Sequence, residues 1–326
     1  MNKPAISVVF TSYNHKEYLS QALDALLNQT FTNFELIIID DCSSDGSRDI
    51  LKEYAAKDSR IKLYLNDKNS GSYVISTNYG ASLAVAPYII FEQCDDWAEA
   101  NQLELLYEAI QKNNVGVAFS SSNMVDETGA FIDSDFNSRS LEFQRQNQSD
   151  RMIPCNVAYR YLLESCIIPN LSAAIVSRAL FERLGGLSKD YLVLADWDFW
   201  LRLALLTDFY YIRKPLNNFR QHKNTIRSSI RITKQIKELF HMYGNVLTMT
   251  PQYRNTILLN ASFCWIATMR DNVKEWWKCM PELYKEGKKL DPRWGYYTLR
   301  GMCSIVKYVF MLKIFKPDAK CNCNNI

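Results

Sequence analysis

Along the first 120 residues the apolar positions switch repeatedly between a short continuous run and a helical period. AISVVFT (5–11) is a β-branched run that ends in the polar cluster Ser12-Tyr13-Asn14, and a helical stretch follows over about 15–28. Asn14, with Glu17 three residues on, is expected to cap that helix. FELIIID (34–40), IKLYL (61–65), PYIIFE (87–92) and VGVAFS (115–120) repeat the strand pattern, with helical segments expected over 45–57, 73–84 and 99–113. Strands that are apolar throughout belong to a parallel sheet covered on both faces. The alternation therefore predicts an α/β fold with a mostly parallel sheet flanked by helices.

In such sheets ligands bind outside the carboxyl ends of the strands. Here those ends carry Thr11-Ser12-Tyr13-Asn14, Asp40-Asp41, Asn66-Asp67 and Asp95-Asp96, so one polar rim is the expected site. Beyond it, 126–150 is polar and reads as a long, mobile loop over one edge of that site. Residues 155–187 are expected to supply a helix, the strand-like LSAAIVS and the helix ALFERLGGL. LADWDFWLRLALL (194–206) is an apolar helix entered through acids, FYYIRKPLNNFRQH (209–222) reads as extended, and the pattern from about 232 onward is helical.

Composition narrows this only slightly. With 326 residues, 48% of them hydrophobic, the chain is long enough for one elaborated domain or two, and a net charge of +3 selects no partner class. Nine cysteines at irregular spacings match neither a disulfide framework nor a zinc site, Cys321-Asn322-Cys323 included, which points to a reduced, cytoplasmic chain. The N-terminus lacks a signal peptide's apolar stretch, and no run is long enough to span a bilayer. Between Lys285 and Lys316 eight Lys/Arg stand against two Asp/Glu, mixed with aromatics. MCSIVKYVFMLKIF within it is a candidate to lie on the inner face of a membrane, or equally to be a buried helix with a basic solvent face.

Two adjacent acids behind an apolar strand, Asp95 and Asp96 in IIFEQCDDW, repel each other unless something relieves them. A hard cation does so, and Mg2+ or Mn2+ bound by one or two carboxylates together with a diphosphate is the expectation. No GxxxxGK[ST] follows any strand and no GxGxxG follows the first, so backbone amides are not expected to cradle the phosphates there.

SVVFTSYNHKEYLSQALDALLNQTFTNFELIIIDDCSSDG resembles the opening of family 2 glycosyltransferases, inverting enzymes with the Rossmann-like GT-A fold. The resemblance continues through NSGSYVISTNYGASLAVAPYIIFEQCDDW, LGGLSKDYLVLADWDFWLRL and YYIRKPLNNFRQH, covering about residues 4–225. It implies a GT-A domain over 1–228, with 1–120 binding the nucleotide sugar and 121–228 the acceptor, and a helical C-terminal region over 229–326. It also implies residue roles: Thr11, Tyr13 and Asn14 beside the base, Tyr13 by stacking; Asp41 on a pyrimidine N3–H; Asp95 and Asp96 as the ribose- and metal-binding pair; His222 as a metal or phosphate contact; Asp196 as catalytic base. Gln93 stands where many relatives carry a further acid, and Ala195 where a glutamate precedes the base.

The function this implies is metal-dependent, inverting transfer of a sugar from a UDP- or dTDP-sugar to a hydroxyl of a glycan acceptor. The acceptor is expected on a lipid carrier, in surface polysaccharide or O-antigen synthesis; a homo-oligomer is open, and nucleic acid is not expected. Against it stand a catalytically silent sugar-nucleotide-binding subunit, supported by Gln93 and Ala195, and a nucleotidyltransferase, which would want a glycine-rich first loop. For single residues, Asp198 reads as a helix cap, Trp197, Phe199 and Trp200 as core, Asp40 as shaping a turn, and Arg220 and Arg227 as facing phosphate or water.

Overall fold

The structure, a computed structural model, describes residues 3–222, 230–271 and 273–303. The chain divides into two compact units, one of residues 1–162 and 167–223 and the other of 163–166 and 224–326.

The first unit is built on a ten-stranded sheet. β1 (Ile6–Ser12), β2 (Phe34–Asp40), β3 (Ile61–Leu65) and β4 (Tyr88–Gln93) follow the expected runs, with α1 (Lys16–Leu27), α2 (Ser47–Lys57) and α3 (Tyr73–Ser82) between them. After β4 come β5 (Trp97–Ala98), α4 (Gln102–Asn113) and the long β6 (Val117–Val125). The order across the sheet is β3-β2-β1-β4-β9-β6-β10-β5, where β9 is Ala174–Ser177 and β10 is Phe209–Arg220. β1 pairs in parallel with β2 and β4, and β6 with β10; β9 runs antiparallel to both its neighbours, β4 and β6. The sheet is thus mostly parallel, with helices between its strands, as the apolar runs require.

Burial explains the local choices. β2 is buried at all seven positions, so its sequence cannot alternate. α1 buries Leu19, Ala22, Leu23 and Leu26, the three-and-four spacing of one helix face. Each leucine there contributes about 1.5–3 kcal/mol relative to exposure. α3 approaches the sheet so closely that a Cβ on Gly80 would sit 2.5 Å from Val9 Cγ1.

Two expectations are corrected. Asn14 does not cap α1: His15 holds the N-cap position without a side-chain cap bond, and Asp45 from the next loop accepts from the Lys16 amide at 2.9 Å. Asn14 instead sits in the left-handed region (φ 51°), and its Oδ1 accepts from the Ser44 amide. Nor is 126–150 without structure. β7 (Phe131–Ser134) pairs with β6, and a 3-10 turn (Asp135–Ser138) and α5 (Leu141–Gln146) follow before β8 (Arg151–Ile153) pairs with β10. Phe136 and Phe143 bury their rings against Tyr211, and Asp135 binds both the Ser122 amide and Arg139.

α6 (Cys155–Glu164), α7 (Arg178–Arg183) and α8 (Ala195–Leu203) complete this unit's helices, residues 163–164 of α6 grouping with the second unit. That unit contains α9 (Ile232–Met249), α10 (Arg254–Asp271), α11 (Val273–Leu290) and a helical stretch over 294–303. Phe240, Trp265 and Trp294 meet at ring-centroid distances of 5.2–6.4 Å at its centre. No helix among the described residues is long and apolar enough to cross a membrane. The described cysteines are free, and Arg227, Cys321, Cys323 and most of the basic 302–315 stretch lie outside the described residues.

Candidate active site

The sheet register sets the exits of three strands side by side. Ser12 pairs with Asp40 and Thr11 with Gln93, so TSYN, DDCSSDG and QCDDW open from adjacent strands on one rim. Asp40 is fully buried and accepts from the Ser43 amide and from Arg48 Nε at 2.8 Å, the turn-shaping role expected of it. Asp41 turns to the loop after β3: its oxygens accept from Asn66 Nδ2 (2.9 Å), the Ser70 amide (3.0 Å) and Ser70 Oγ (2.7 Å). Thr11 is half-buried one residue before the end of β1, and Tyr13 stands 47% exposed, with ring surface open to a partner.

The doublet divides. Asp95 Oδ2 lies 3.0 Å from His222 Nε2, and His222's side chain is almost wholly buried just beyond β10. His15, from the turn between β1 and α1, completes a group whose donor atoms all lie within 4.8 Å of one another. Burial pushes the Asp95 carboxyl up, but the His222 hydrogen bond and the fields of both imidazoles outweigh it and hold the group below the usual carboxylate range. Cys94 Sγ is 3.4 Å from His15 Nδ1; burial and the Asp95 charge push this thiol well up, so it remains protonated.

Asp95 and His222 have the spacing of two ligands of one divalent ion. Adjacent ligands at about 2.1 Å from one centre are separated by about 3.0 Å in an octahedron, the spacing of Asp95 and His222. His15, Asp95 and His222 are the one such group among the described residues. Sequence reasoning missed His15, although it follows Tyr13 and Asn14 in the same turn.

Asp96, expected as a second metal ligand, is outside this group. It is buried, and its oxygens accept from the Arg220 amide (2.9 Å), Asn170 Nδ2 (3.1 Å) and Ser172 Oγ (3.3 Å). Asn170 in turn accepts from Asn217, which Ser122 Oγ also contacts, so a chain of amides carries the load from β10 to the β4 exit. Burial first, then the Asp95 charge, raise the Asp96 carboxyl well above the usual range. Glu92, four residues earlier within β4, is raised well up by burial and then by Asp96; its buried Oε1 has no hydrogen-bond partner.

Arg220 faces neither phosphate nor water. Only 2% exposed, it donates to the carbonyls of Asp95 (2.9 Å) and Glu127 (2.9 Å) and to Gln21 Oε1 (2.7 Å). Its guanidinium lies over the rings of Tyr18 at 4.3 Å and Trp97 at 4.8 Å. It is a clamp behind the site.

Asp196 lies on another element, half-buried in the first turn of α8, with Oδ1 accepting from the Trp197 amide at 2.8 Å. Asp198 is no cap: α8 has none from a side chain, and Asp198 pairs with Arg202 at 2.8 Å, which also holds the Leu184 and Gly186 carbonyls. Trp197, Phe199 and Trp200 are core.

A mostly parallel sheet with its polar rim, an acid-bearing turn after β4 and a further acid at the start of α8 define an α/β protein of the GT-A architecture. Residues 7–164 match the model of the Glycosyl transferase family 2, and the chain carries a domain of that family. It is 32% identical over 131 residues to TuaG of Bacillus subtilis, named as a teichuronic acid biosynthesis glycosyltransferase, the match covering 40% of this chain and 52% of that one. The chain spans about half the length, or less, of the curated relatives TuaG, GlyG and EpsH. Among solved structures, residues 1–349 of S. aureus TarS with UDP-GlcNAc superpose with a TM-score of 0.68 at 17% identity, covering 91% of this chain and 88% of that one. A Pyrobaculum calidifontis mannosyltransferase with GDP-Man and Mn2+ gives 0.54 at 14% identity, covering 98% and 89%.

Proposed function

We propose that this chain transfers a sugar, with inversion, from a UDP- or dTDP-sugar to a hydroxyl of a glycan acceptor in surface polysaccharide synthesis. The observation that carries the reading is the His15–Asp95–His222 group at the rim, beside the exits of β1 and β2. Tyr13 would stack on the base, with Thr11 and Asn14 beside it, and Asp41, already held by Ser70 and Asn66, would receive a base N–H. Asp95 and His222 would hold Mg2+ or Mn2+, which supplies charge neutralisation at the departing diphosphate. Asp96 then supports the turn rather than ligating.

Asp196 would take the acceptor's proton as its oxygen attacks the anomeric carbon from the face opposite the diphosphate. That TarS binds UDP and UDP-GlcNAc favours a uridine donor, and TuaG's name favours a cell-surface polymer. Such acceptors are built on lipid carriers, which would place the chain in the cytoplasm at the inner membrane face, as homo-oligomer or monomer.

The test is Asp196→Asn. UDP-sugar binding should persist within about threefold, while acceptor-dependent UDP release falls by about 10²–10⁴. Retained transfer removes Asp196 from the role. No turnover by the unaltered chain with any UDP- or dTDP-sugar, acceptor and Mn2+ would favour the silent binding subunit.

A further inference from the structure

We infer that His15 is the third protein ligand of the cation, making the site a two-imidazole, one-carboxylate centre that selects transition metals over Mg2+. The inference rests on the metal-dependent reading above and goes beyond it in naming the ligand set and its selectivity.

Three separate elements bring the donors together: the turn before α1 for His15, the turn after β4 for Asp95, and the residue two beyond β10 for His222. The two imidazoles meet edge to face with centroids 5.3 Å apart, and Tyr18 lies 6.0 and 5.6 Å from them. This packing and the Cys94 contact hold the His15 ring in place before any ion arrives. Asp96, which would have supplied a second hard oxygen, is withdrawn into the Asn170–Ser172 network.

Ligand chemistry then decides the ion. Mg2+ takes oxygen ligands and keeps its waters, whereas imidazole suits the later first-row metals, whose affinities rise from Mn2+ through Co2+. A diphosphate is not needed to assemble this set, so the metal should bind before the donor.

The experiment titrates the full chain, free of nucleotide, with MnCl2, CoCl2 and MgCl2 by calorimetry, and with CoCl2 by visible absorption. One equivalent should bind, Co2+ more tightly than Mn2+, and Mn2+ at least about tenfold more tightly than Mg2+. His15→Ala should weaken Mn2+ and Co2+ by about 10–100-fold or more and alter the cobalt bands, with unchanged circular dichroism and melting. His15→Asp should retain a site but shift its preference toward Mg2+, which a purely packing histidine would not do. If His222→Ala loses Mn2+ while His15→Ala and His15→Asp match the unaltered chain, His15 is no ligand, though a metal-dependent enzyme survives. If the unaltered chain binds none of the three ions even with UDP present, the metal-dependent reading itself falls.

Discussion

Replacing Arg220 with lysine asks whether the guanidinium, rather than its charge, holds the rim together. Arg220 makes three short charge-assisted bonds, to the Asp95 and Glu127 carbonyls and to Gln21, while lying over two aromatic rings. An ammonium at the end of a flexible stem cannot reach acceptors so disposed, and keeps one of them at best. Each bond lost costs about 1–1.5 kcal/mol, and each ring contact degraded about 0.5–1 kcal/mol. Arg220→Lys should therefore destabilise the first unit by about 3–5 kcal/mol. Urea unfolding measures the loss, and faster hydrogen exchange over 93–98 and 126–130 localises it. Mn2+ affinity should fall too, because the side chain fixes the Asp95 backbone and His222 is two residues further on. A stability within about 0.5 kcal/mol of the unaltered chain, with unchanged exchange, would refute the clamp.

The Glu92 carboxyl is raised in the native protein by burial and by Asp96, while the unfolded chain holds it at about 4.3. Between those values the native state binds the extra proton, so stability falls as pH rises through the window. Glu92→Gln, which mimics the neutral acid, should match the unaltered chain near pH 4 and gain on it progressively to pH 8 in urea midpoint; a variant that falls behind instead would show Glu92 is not kept neutral. Gly80→Ala gains about 1 kcal/mol in helix propensity but drives a Cβ to 2.5 Å from Val9 Cγ1. Overpacking costs about 1–3 kcal/mol, so a net loss in thermal melting is expected, and a higher Tm would mean that α3 can retreat from the sheet.

The four parallel strands were readable because burial on both faces forces continuous apolar runs, and LIIID and YIIF can hardly be anything else. β5, β7 and β8 are two to four residues long, too short for any period to register. The direction of β9 is a tertiary choice: AIVS would suit either sense, and it is pairing with β4 and β6 that makes it antiparallel. The 126–150 segment misled because its polar composition outweighs its three phenylalanines. Phe136 and Phe143 order it only through Tyr211, some seventy residues later, a contact that no local window contains.

The site was readable as far as chemistry sits in single residues, and not where it depends on which residues meet. Asp95 and Asp96 look in sequence like a pair that needs one shared cation. In the fold their repulsion is relieved differently: Asp95 turns to His222 at the rim, and Asp96 turns inward to donors from Asn170, Ser172 and the Arg220 amide. Asp95 is held below and Asp96 raised above the usual carboxylate range, so the two carboxyls titrate apart. Under the proposed ligand set His15 takes the place of the second carboxylate of the expected pair, since the adjacency of β1 and β4 brings it within 4.8 Å of Asp95 and His222. Gln93 points the same way. Under that proposed set, two imidazoles leave less need for a further acid at that position than an oxygen-only Mg2+ site would have.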